Sequence, residues 1–379
     1  MSGDLASNAA GQVAVAMSGG LDSSVTAWLL SRGERPVVGL SMLLWDRSKE
    51  ERNGRCCGAL DLGDAKRVAQ QCGIRHYTLH LEEEFRRQVV DPFVDDYLAG
   101  RTPVPCTRCN TFIKFDLFLE RARALGCDRI ATGHYARIVE GPGGYELHRA
   151  LQEDKDQSYY LFELTQDQLA SSEFPLGERD KREVRELARG VGLVVAEKRE
   201  SMELCFVEGG IRDFVEEQAA ERDLALASED PGATRSIGRA SRIVDRDGGL
   251  LGRGEPYYRY TVGQRRALGG GAPEKLYVLG VRPAVNEVVV GPRRELASKG
   301  LGGERLHWIG EEPTGDLTAT VKIRSRHAGV ESRIRSVGKG RVEIEFATPQ
   351  EAVTPGQAAV FYEGTRVLGG CWIGSASDG

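Results

Sequence analysis

Ser18, Gly19, Gly20, Asp22 and Ser23 are the residues of this chain whose types and spacing best fit a chemical role. An apolar run with valine at alternate positions precedes them, and an amphipathic helix is predicted to begin at Asp22. Glycine lets the backbone turn sharply and approach a ligand closely, and the N–H groups at a helix start attract anions. We therefore predict that the 18–23 loop binds pyrophosphate without a lysine of its own.

This loop resembles the PP-loop of the ATP pyrophosphatases, enzymes that adenylate a carbonyl-type oxygen and release pyrophosphate. The sequence lacks the Gly-x-x-x-x-Gly-Lys-Ser/Thr pattern of Walker-type loops, and no Gly-x-Gly-x-x-Gly follows this strand. The resemblance implies that ATP is a substrate, and Asp22 is suited to a Mg²⁺ ion that the phosphates hold. Two plainer interpretations stay open: an ordinary strand-to-helix turn, and an Asp22 that caps the helix.

Cysteines form the second set of residues whose side chains can take part in chemistry. Cys106 and Cys109 form a Cys-x-x-Cys pair, which places two thiols about one turn apart, and Cys205 lies far along the chain. Arg108, Lys114 and the start of the following helix put positive charge near the pair, and positive charge favours the reactive thiolate. We expect these thiols to pair, to share a metal or to exchange sulfur. A structural pair of buried cysteines is the alternative.

The remaining cysteines are predicted to have other roles. Cys72, Cys127 and Cys371 fall in or beside apolar segments and are expected to be small core residues. Cys56 and Cys57 follow a polar stretch, and we interpret them as loop residues open to metal binding or oxidation.

Alternating strands and helices in the first half must position these residues. Apolar periodicity predicts strands at 13–17, 36–44, 74–79 and 128–132, and helices at 22–31, 61–71, 82–99 and 111–125. Such alternation indicates a mostly parallel sheet with helices on both faces. Because ligands bind at the carboxyl ends of such strands, we expect Met17–Ser23, Met42 and Thr132–His134 to line one crevice.

The second half changes, from about residue 230, to glycine, arginine and short alternating strands. Strands are predicted at 241–245, 276–281, 287–290, 319–324, 341–346 and 367–373. Turns are predicted at 247–249 and 339–340, and breaks near 231–232 and 291–292. We predict three domains: a catalytic domain at 1–213, a small β-rich central domain at 214–291 and a C-terminal β domain at 292–379.

Composition excludes several classes of protein. The 379 residues carry 51 basic and 56 acidic side chains, a formal net charge of −5, so any nucleic acid must be bound by a local patch. No apolar run approaches the ~20 residues that a membrane span requires, and residues 1–12 lack a signal pattern. We predict a cytoplasmic protein with no membrane partner, a compartment in which structural disulfides are rare.

Six short motifs occur in an order that resembles the bacterial tRNA-specific 2-thiouridylases, the MnmA family. They are Ser-Gly-Gly-Leu-Asp-Ser at 18–23, Cys-Asn-x-x-Ile-Lys-Phe at 109–115, Ala-Thr-Gly-His-Tyr at 131–135, Lys-Asp-Gln-Ser-Tyr at 155–159, Tyr-Thr-Val-Gly-Gln-Arg at 260–265 and Thr-Pro-Gly-Gln at 354–357. The resemblance covers nearly the whole chain. It implies an α/β N-terminal domain of the adenine nucleotide alpha hydrolase type, a small central domain and a C-terminal β-barrel that binds tRNA.

The same resemblance implies a reaction and a set of partners. The reaction is ATP-dependent replacement of the 2-oxygen of the wobble uridine, position 34, by sulfur in tRNAs for Lys, Glu and Gln. A cysteine desulfurase or a sulfur-relay protein is the implied sulfur donor, and a monomer is expected.

The resemblance also carries roles onto individual residues. Cys109 matches the family's nucleophile, and Cys205 matches its persulfide carrier. The positions that match ATP contacts are Ala16, Met17, Ser18, Gly19, Gly20, Leu21, Asp22, Ser23, Met42 and Gly133. The positions that match tRNA contacts are Val104, Pro105, Cys106, His134, Lys155, Asp156, Gln157, Arg324, Ser325 and Gln357.

One position departs from the family pattern. Many members carry Asn-Pro-Asp before the catalytic cysteine, where the Asp is a candidate acid or base, but this chain has Val104, Pro105 and Cys106. The acid/base role is therefore unassigned. One hypothesis makes Cys106, Cys109 and Cys205 the ligands of a 4Fe–4S cluster whose open iron delivers hydrosulfide. The other is a cluster-free persulfide route that passes through a disulfide.

A surface that binds RNA must come from a local patch of positive charge. Two stretches are candidates: Arg259, Arg265 and Arg266 beside Tyr257, Tyr258 and Tyr260, and the run Lys322, Arg324, Arg326, His327, Arg333, Arg335, Lys339 and Arg341. Within the run only Glu331 opposes the positive charge. We expect a tRNA surface whose binding weakens steeply with salt, and a solvated strand face is the alternative.

Two rival functions also stay open. The function more similar to a 2-thiouridylase is that of another PP-loop enzyme, such as an amidotransferase-like synthetase or a thiolase that acts at a different tRNA position. The less similar function is that of a non-catalytic, redox-sensing protein that binds RNA.

Overall fold

The structure, a computed structural model, describes residues 11–45, 57–199, 204–207, 209–229, 238–265 and 274–377. The chain divides into two compact units. The first comprises Met1–Gln88, Thr107–Met202 and Thr365–Val367, and the second comprises Val89–Cys106, Glu203–Gly364 and Leu368–Gly379. None of the helices in the described ranges has the length and apolar character that a membrane crossing requires.

A parallel sheet forms the centre of the first unit. The strands of this unit are β1 (Gln12–Ala16), β2 (Val37–Leu43), β3 (Arg75–His80), β4 (Cys127–Ala131), β5 (Ala136–Gly141), β6 (Gly144–Arg149) and β7 (Ser172–Glu173). The sheet order is β3-β2-β1-β4-β7, and all its pairings are parallel. Because a parallel sheet is covered on both faces, its central strand β1 is apolar nearly throughout.

Helices alternate with these strands and continue into the second unit. They are α1 (Leu21–Ser31), α2 (Cys57–Cys72), α3 (Glu82–Phe85), α4 (Asp91–Leu98), α5 (Pro105–Arg108), α6 (Phe118–Ala124), α7 (Gln166–Ala170), α8 (Lys181–Gly190) and α9 (Ile211–Glu229). Two π-helical stretches lie among them: Arg86–Val90 joins α3 to α4, and Cys109–Leu117 joins α5 to α6. The helices predicted at 82–99 and 111–125 are therefore present, with π-helical segments inside them.

The apolar core of the first unit lies between β1 and three helices. Val13 and Val15 of β1 are fully buried, and they pack with buried residues of α1, α2 and α8 such as Val25, Val68 and Val184. Helix α6 packs on β4. The predicted strand–helix alternation of the first half is confirmed.

The second unit is rich in antiparallel strands. They are β8 (Ser241–Val244), β9 (Leu250–Gly254), β10 (Leu276–Arg282), β11 (Glu287–Pro292), β12 (Ala297–Trp308), β13 (Leu317–Lys322), β14 (Val330–Gly338), β15 (Arg341–Glu351), β16 (Ala358–Glu363) and β17 (Arg366–Ser377). One sheet has the order β10-β11-β8-β9. Strands β12-β15-β14-β13-β16-β17 follow one another, and β12 also pairs with β17, so they close into a barrel.

The predicted small central domain and C-terminal β-barrel are thus present as folds. Every strand predicted in the second half exists, and the predicted turns follow β8 and β14. The sequence missed the β5–β6 hairpin and strands β7, β9, β12, β14 and β16. Short 3₁₀ turns occupy Glu153–Lys155, Ser158–Leu161, Tyr257–Arg259, Pro283–Val285 and Arg293–Leu296.

Candidate nucleotide site and cysteine segment

The 18–23 loop connects β1 to α1 and is held closed by its own side chains. The backbone N–H of Ser18 donates to Ser23 Oγ at 3.2 Å, and Ser23 Oγ donates to the Gly20 carbonyl oxygen at 3.1 Å. Gly20 is the N-cap residue of α1, and none of the described side chains makes an N-cap hydrogen bond there. A helix start without a side-chain cap attracts an anion, because its N–H groups point outward.

Two glycines let backbone segments pack directly against this loop. Gly19 has a φ of +73°, and a Cβ at that position would lie 2.0 Å from the carbonyl oxygen of Asp61 in α2. A Cβ on Gly133, which follows β4, would lie 2.9 Å from the backbone carbon of Asp22 and 3.0 Å from the nitrogen of Ser23. The structure therefore brings Gly133 against the loop, as the sequence predicted for the end of that strand.

Met17 and Met42 lie at the same edge of the sheet, at the ends of β1 and β2. The Met17 nitrogen donates to the carbonyl oxygen of Leu40 at 2.9 Å, and Ser41 Oγ donates to the carbonyl oxygen of Met17 at 2.6 Å. These bonds fix the point at which β1 leaves the sheet and enters the loop.

Asp22 is ion-paired with a lysine that sequence reasoning missed. Lys181 Nζ lies 2.6 Å from Asp22 Oδ1 and 2.7 Å from Oδ2, and the Tyr135 hydroxyl donates to Oδ1 at 3.0 Å. Helix capping by Asp22 was one expectation, and it is wrong, because Gly20 is the N-cap residue and Asp22 lies in the first turn of α1. The other expectation, a Mg²⁺ ligand, stays a prediction, because a carboxylate that accepts from Lys181 and Tyr135 keeps a lone pair for a metal ion.

A second missed lysine supports the other side of the loop. Lys198 Nζ donates to the Gly19 carbonyl oxygen at 2.9 Å, to Asp61 Oδ1 at 2.6 Å and to Asp64 Oδ2 at 2.5 Å. Burial lowers the pKa of the Lys198 ammonium group, but the hydrogen bonds to Asp61 and Asp64 outweigh it, and the pKa is raised. Lys198 is therefore a permanent cation that ties the loop to α2.

Part of this geometry had a signal in the sequence. Asp180 caps α8, and Glu183 completes a capping box with it, which is a readable helix start just before Lys181. Nothing in the local sequence shows that Lys181 meets Asp22, because the two residues are 159 positions apart.

Cys109 begins the second π-helical stretch and is buried, with 8% of its surface exposed. The side chain of the next residue, Asn110, donates to the Tyr160 carbonyl oxygen at 3.0 Å and accepts from Lys114 Nζ at 3.0 Å. The Arg108 guanidinium donates instead to the Gln88 carbonyl oxygen at 2.8 Å. π-helical turns are rare and occur frequently at functional sites.

Cys106 and Cys205 are exposed, unlike Cys109, so the alternative of a buried structural Cys-x-x-Cys pair is wrong. The structure contains no disulfide bond among its described residues. In the same ranges no group of three or more His, Cys, Asp or Glu side chains is placed to hold a metal ion. Cys106 and Cys205 belong to the second unit and Cys109 to the first, so the 4Fe–4S hypothesis stays a prediction.

The predicted core cysteines are confirmed. Cys72, Cys127 and Cys371 are buried, and burial raises the pKa of each thiol. Cys56 lies outside the described residues. Cys57 begins α2, so its interpretation as a loop residue is wrong.

His134 follows Gly133 and is neutral rather than cationic. Its Nδ1 lies 2.7 Å from Thr132 Oγ1, and the rings of Phe115 and Phe174 lie 5.7 and 5.8 Å from its ring. Burial, together with the charge of Lys114, holds the pKa of His134 well below 6.5. As a tRNA-contact candidate it would offer a hydrogen bond or a ring face, and no charge.

The 155–157 segment connects to the strand end at Tyr135. The Tyr135 nitrogen donates to Gln157 Oε1 at 2.9 Å, and the Gln157 nitrogen donates back to the Tyr135 carbonyl oxygen at 2.8 Å. Asp156 Oδ1 accepts from the backbone nitrogens of Ala150 and Ser158 at 3.2 and 3.1 Å. Lys155 ends the preceding 3₁₀ turn and is partly exposed. Asp156 and Gln157 therefore also have structural roles.

Candidate RNA contacts of the second unit fall in two places. Gln357 Nε2 donates to the Thr102 carbonyl oxygen at 2.9 Å, beside the buried Val104 and Pro105 and the exposed Cys106. Arg324 and Arg326 are exposed and Ser325 is partly exposed, in the segment between β13 and β14.

The basic run of 322–341 is less positive in three dimensions than in sequence. Strand β15 places Glu345 opposite Arg333 and Glu343 opposite Arg335, and Arg335 forms an ion pair with Glu343. Arg333 also pairs with Asp316 at 2.6 Å. Glu331 is the one acidic residue within the run, but acidic residues from outside the run also oppose its charge.

The aromatic–basic stretch near residue 259 is also engaged within its unit. Arg259 forms ion pairs with Glu216 and, at 2.9 Å, with Asp213. Tyr258 and Tyr260 are buried. Arg265 is exposed, and Arg266 lies outside the described residues. Tyr258 and Arg259 therefore link α9 to the segment between β9 and β10, and a tRNA surface here stays a prediction.

Comparison with known proteins places the whole chain in one family. Three family models match in sequence: a tRNA methyl transferase HUP domain at 11–209, a tRNA methyl transferase PRC-barrel domain at 235–292 and an aminomethyltransferase beta-barrel domain at 298–373. The tRNA-specific 2-thiouridylase MnmA of Solibacter usitatus is 48% identical over 375 residues, which cover 95% of this chain and 98% of that protein. That of Geobacter metallireducens is 49% identical over 371 residues, covering 96% and 97%.

The chain belongs to the MnmA family. Membership confirms the resemblance that the six ordered motifs indicated. The roles that MnmA proteins suggest for single residues, and the domain limits 1–213, 214–291 and 292–379, stay predictions.

Solved structures match only weakly. A 4-thiouridine synthetase in complex with RNA and bound ATP aligns over 60% of this chain and 54% of that chain, at 16% identity and a TM-score of 0.32. A match at this level carries no argument about this chain.

Proposed function

We propose that this chain is an ATP-dependent tRNA uridine 2-sulfurtransferase that acts on the wobble uridine, position 34, of tRNAs for Lys, Glu and Gln. The observation that carries the proposal is the intact 18–23 loop at the start of α1, with Gly133 packed against it. Relatives at 48 and 49% identity named tRNA-specific 2-thiouridylase support the choice of tRNA uridine as substrate.

The first step activates a poor leaving group. The uridine O2 attacks the α-phosphorus of ATP, the bond from that phosphorus to the bridging oxygen breaks, and pyrophosphate leaves. The residues Ala16 to Ser23, Met42 and Gly133 are the proposed ATP contacts. The N–H groups at the start of α1 face the negative charge that grows on the leaving pyrophosphate, which is the type of preorganised stabilisation that lowers such barriers.

The second step delivers sulfur. A cysteine desulfurase or a sulfur-relay protein first loads Cys205 with a persulfide. The terminal sulfur attacks C2 of the uridine, and AMP leaves with the former O2. Cys109 then attacks the remaining sulfur of Cys205, so a Cys109–Cys205 disulfide forms, the sulfur stays on the base, and a cellular thiol reductant resets the pair.

Cys106 is the proposed proton carrier in place of the aspartate that many members have. The step needs a group that takes the N3 proton of uridine and later returns it. Cys106 is exposed. No step of this mechanism passes through an iron–sulfur cluster. Asp22 would contact a Mg²⁺ ion that the phosphates of ATP hold, and that ion would balance their negative charge.

The proposed tRNA contacts are 104–106, His134, 155–157, Arg324, Ser325 and Gln357. A monomeric state and a cytoplasmic location also stay predictions for this enzyme.

The test is pyrophosphate release by the purified chain with ATP and unmodified tRNA. The proposal expects release that requires tRNA and formation of 2-thiouridine at position 34. Binding of tRNA without any pyrophosphate release would instead support a non-catalytic RNA-binding protein. Sulfur at another tRNA position would support a different thiolase.

Cys106→Asp separates the two sulfur routes. It restores the residue that many family members have, so the persulfide route expects activity to be retained. A cluster route expects lost activity and lost iron in protein purified without oxygen.

A further inference from the structure

Lys181 is a buried lysine whose backbone position is fixed at the start of α8. Only 9% of the residue is exposed. Asp180 caps the helix in a capping box with Glu183, and the Lys181 nitrogen donates to Gln152 Oε1 at 2.7 Å. The capping box and this hydrogen bond therefore fix the backbone of Lys181 and the direction in which its side chain leaves α8.

Asp22 and Tyr135 hold that ammonium group beside the nucleotide loop. Both carboxylate oxygens of Asp22 lie within 2.7 Å of Lys181 Nζ. The Tyr135 ring centre lies 5.5 Å from Nζ, and the Tyr135 hydroxyl donates to the same carboxylate. Lys181 is buried and Asp22 is partly exposed. Because burial of the ammonium group costs desolvation energy, stability alone does not explain this arrangement.

The pair also lies where two helices begin. Asp22 is in the first turn of α1, Lys181 is the first residue of α8, and the two helices pack against each other. Both helix starts carry a partial positive charge, and the ammonium group adds a full one that Asp22 balances. The net field at this point favours an anion such as phosphate.

The loop itself contains no lysine, in contrast to Walker-type loops, whose lysine reaches the β- and γ-phosphates. We propose that Lys181 is a catalytic residue that contacts the leaving pyrophosphate and supplies this missing charge. Asp22 and Tyr135 are its positioning residues. The inference rests on the proposed function, in which the α-phosphorus–oxygen bond breaks and its electron pair stays on pyrophosphate. The ammonium group stabilises that charge without transferring a proton.

The test uses inorganic pyrophosphate and AMP as separate probes, with binding measured by calorimetry in EDTA so that no metal contributes. Lys181→Met is expected to weaken pyrophosphate binding at least tenfold and to change AMP binding less than twofold, because AMP lacks the leaving group. Lys181→Arg should restore part of the pyrophosphate affinity. Lys66→Met removes an exposed lysine of α2 and should match the unmodified chain.

Three results would overturn the inference. One is unchanged pyrophosphate binding by Lys181→Met. Another is an equal loss for pyrophosphate and AMP, which indicates a general structural role. The third is a larger loss in Tyr135→Phe than in Lys181→Met, since a positioning residue cannot matter more than the group it positions.

The outcome is distinguishable from failure of the proposed function. A chain that makes 2-thiouridine while Lys181→Met binds pyrophosphate normally contradicts this inference alone. A chain that makes no 2-thiouridine with any tRNA contradicts the proposed function, whatever the pyrophosphate result.

Discussion

Lys198 donates a hydrogen bond of 2.9 Å to the carbonyl oxygen of Gly19, at the turn of the nucleotide loop. The same ammonium group neutralises Asp61 and Asp64, which come from α2. The nucleotide loop is therefore stabilised by Lys198, a cation that lies outside the 18–23 motif. Without it, two carboxylates would face the region where phosphates are proposed to bind.

Lys198→Met is predicted to raise the dissociation constant for ATP about tenfold, roughly 1.4 kcal/mol. The physical reason is uncompensated negative charge next to the loop together with a lost hydrogen bond to Gly19. Titration calorimetry with ATP measures the dissociation constant. Lys66→Met, which replaces an exposed lysine of α2, is the control. Equal ATP affinity in the two variants would show that Lys198 does not support the loop.

Gly133→Ala is predicted to weaken ATP binding at least tenfold. Its new Cβ would lie 2.9–3.0 Å from the Asp22–Ser23 backbone, so the start of α1 must shift. Gly63→Ala is the matched control, because nothing lies within 4 Å of its Cβ. That variant lies in α2 and should gain about 0.5–1 kcal/mol of stability while its ATP affinity stays the same. Normal ATP binding by Gly133→Ala would remove Gly133 from the site.

His134 is predicted to make stability depend on pH. Burial holds its folded pKa well below 6.5, so below pH 6.5 the unfolded chain binds a proton that the folded chain excludes. Stability should therefore fall as the pH drops from 6.5 toward the lowered pKa, by up to about 1.4 kcal/mol per pH unit.

His134→Gln removes this titration, so denaturant unfolding between pH 7 and pH 5 should show a smaller loss than in the unmodified chain. His80→Gln, with 72% of the side chain exposed in the original residue, should follow the unmodified chain. Identical pH profiles for all three proteins would contradict the lowered pKa of His134.

Arg326→Ala and Arg335→Ala are predicted to differ in how tRNA binding responds to salt. Arg326 is exposed between β13 and β14, whereas Arg335 is ion-paired with Glu343. Loss of one phosphate contact lowers the slope of log K against log salt by about 1, and only Arg326→Ala is expected to show this. Filter binding at several salt concentrations measures both slopes. A larger change for Arg335→Ala would mean that the β14–β15 face contacts RNA.

The sequence was sufficient to predict a helix, strand or loop where the residues of one continuous segment determine it. The apolar 13–17 run, the loop and the helix after it were predictable, because the apolar period and the glycines act locally. Lys181 was not, since its contact with Asp22 spans 159 residues and its helix, α8, is mostly charged. The charge balance of Arg335 was missed for a similar reason: its partner Glu343 arrives only when β14 and β15 pair.

The π-helical stretch at Cys109 was also beyond prediction. Its apolar residues keep a helical spacing, so the sequence indicates a helix without showing which carbonyl each N–H reaches. Cys106 is exposed and Cys109 is buried because of how that segment packs. The sequence could not predict this difference either.

The central claim is that sulfur passes through Cys109 and Cys205 to the wobble uridine. Mass spectrometry of tRNA nucleosides tests it most directly, in cells that lack the gene and carry the unmodified chain, Cys109→Ser, Cys205→Ser or the control Cys72→Ser. The account predicts that the 2-thiouridine nucleoside is lost with either of the first two substitutions and retained with Cys72→Ser. Normal abundance of that nucleoside with Cys109→Ser or Cys205→Ser would contradict it.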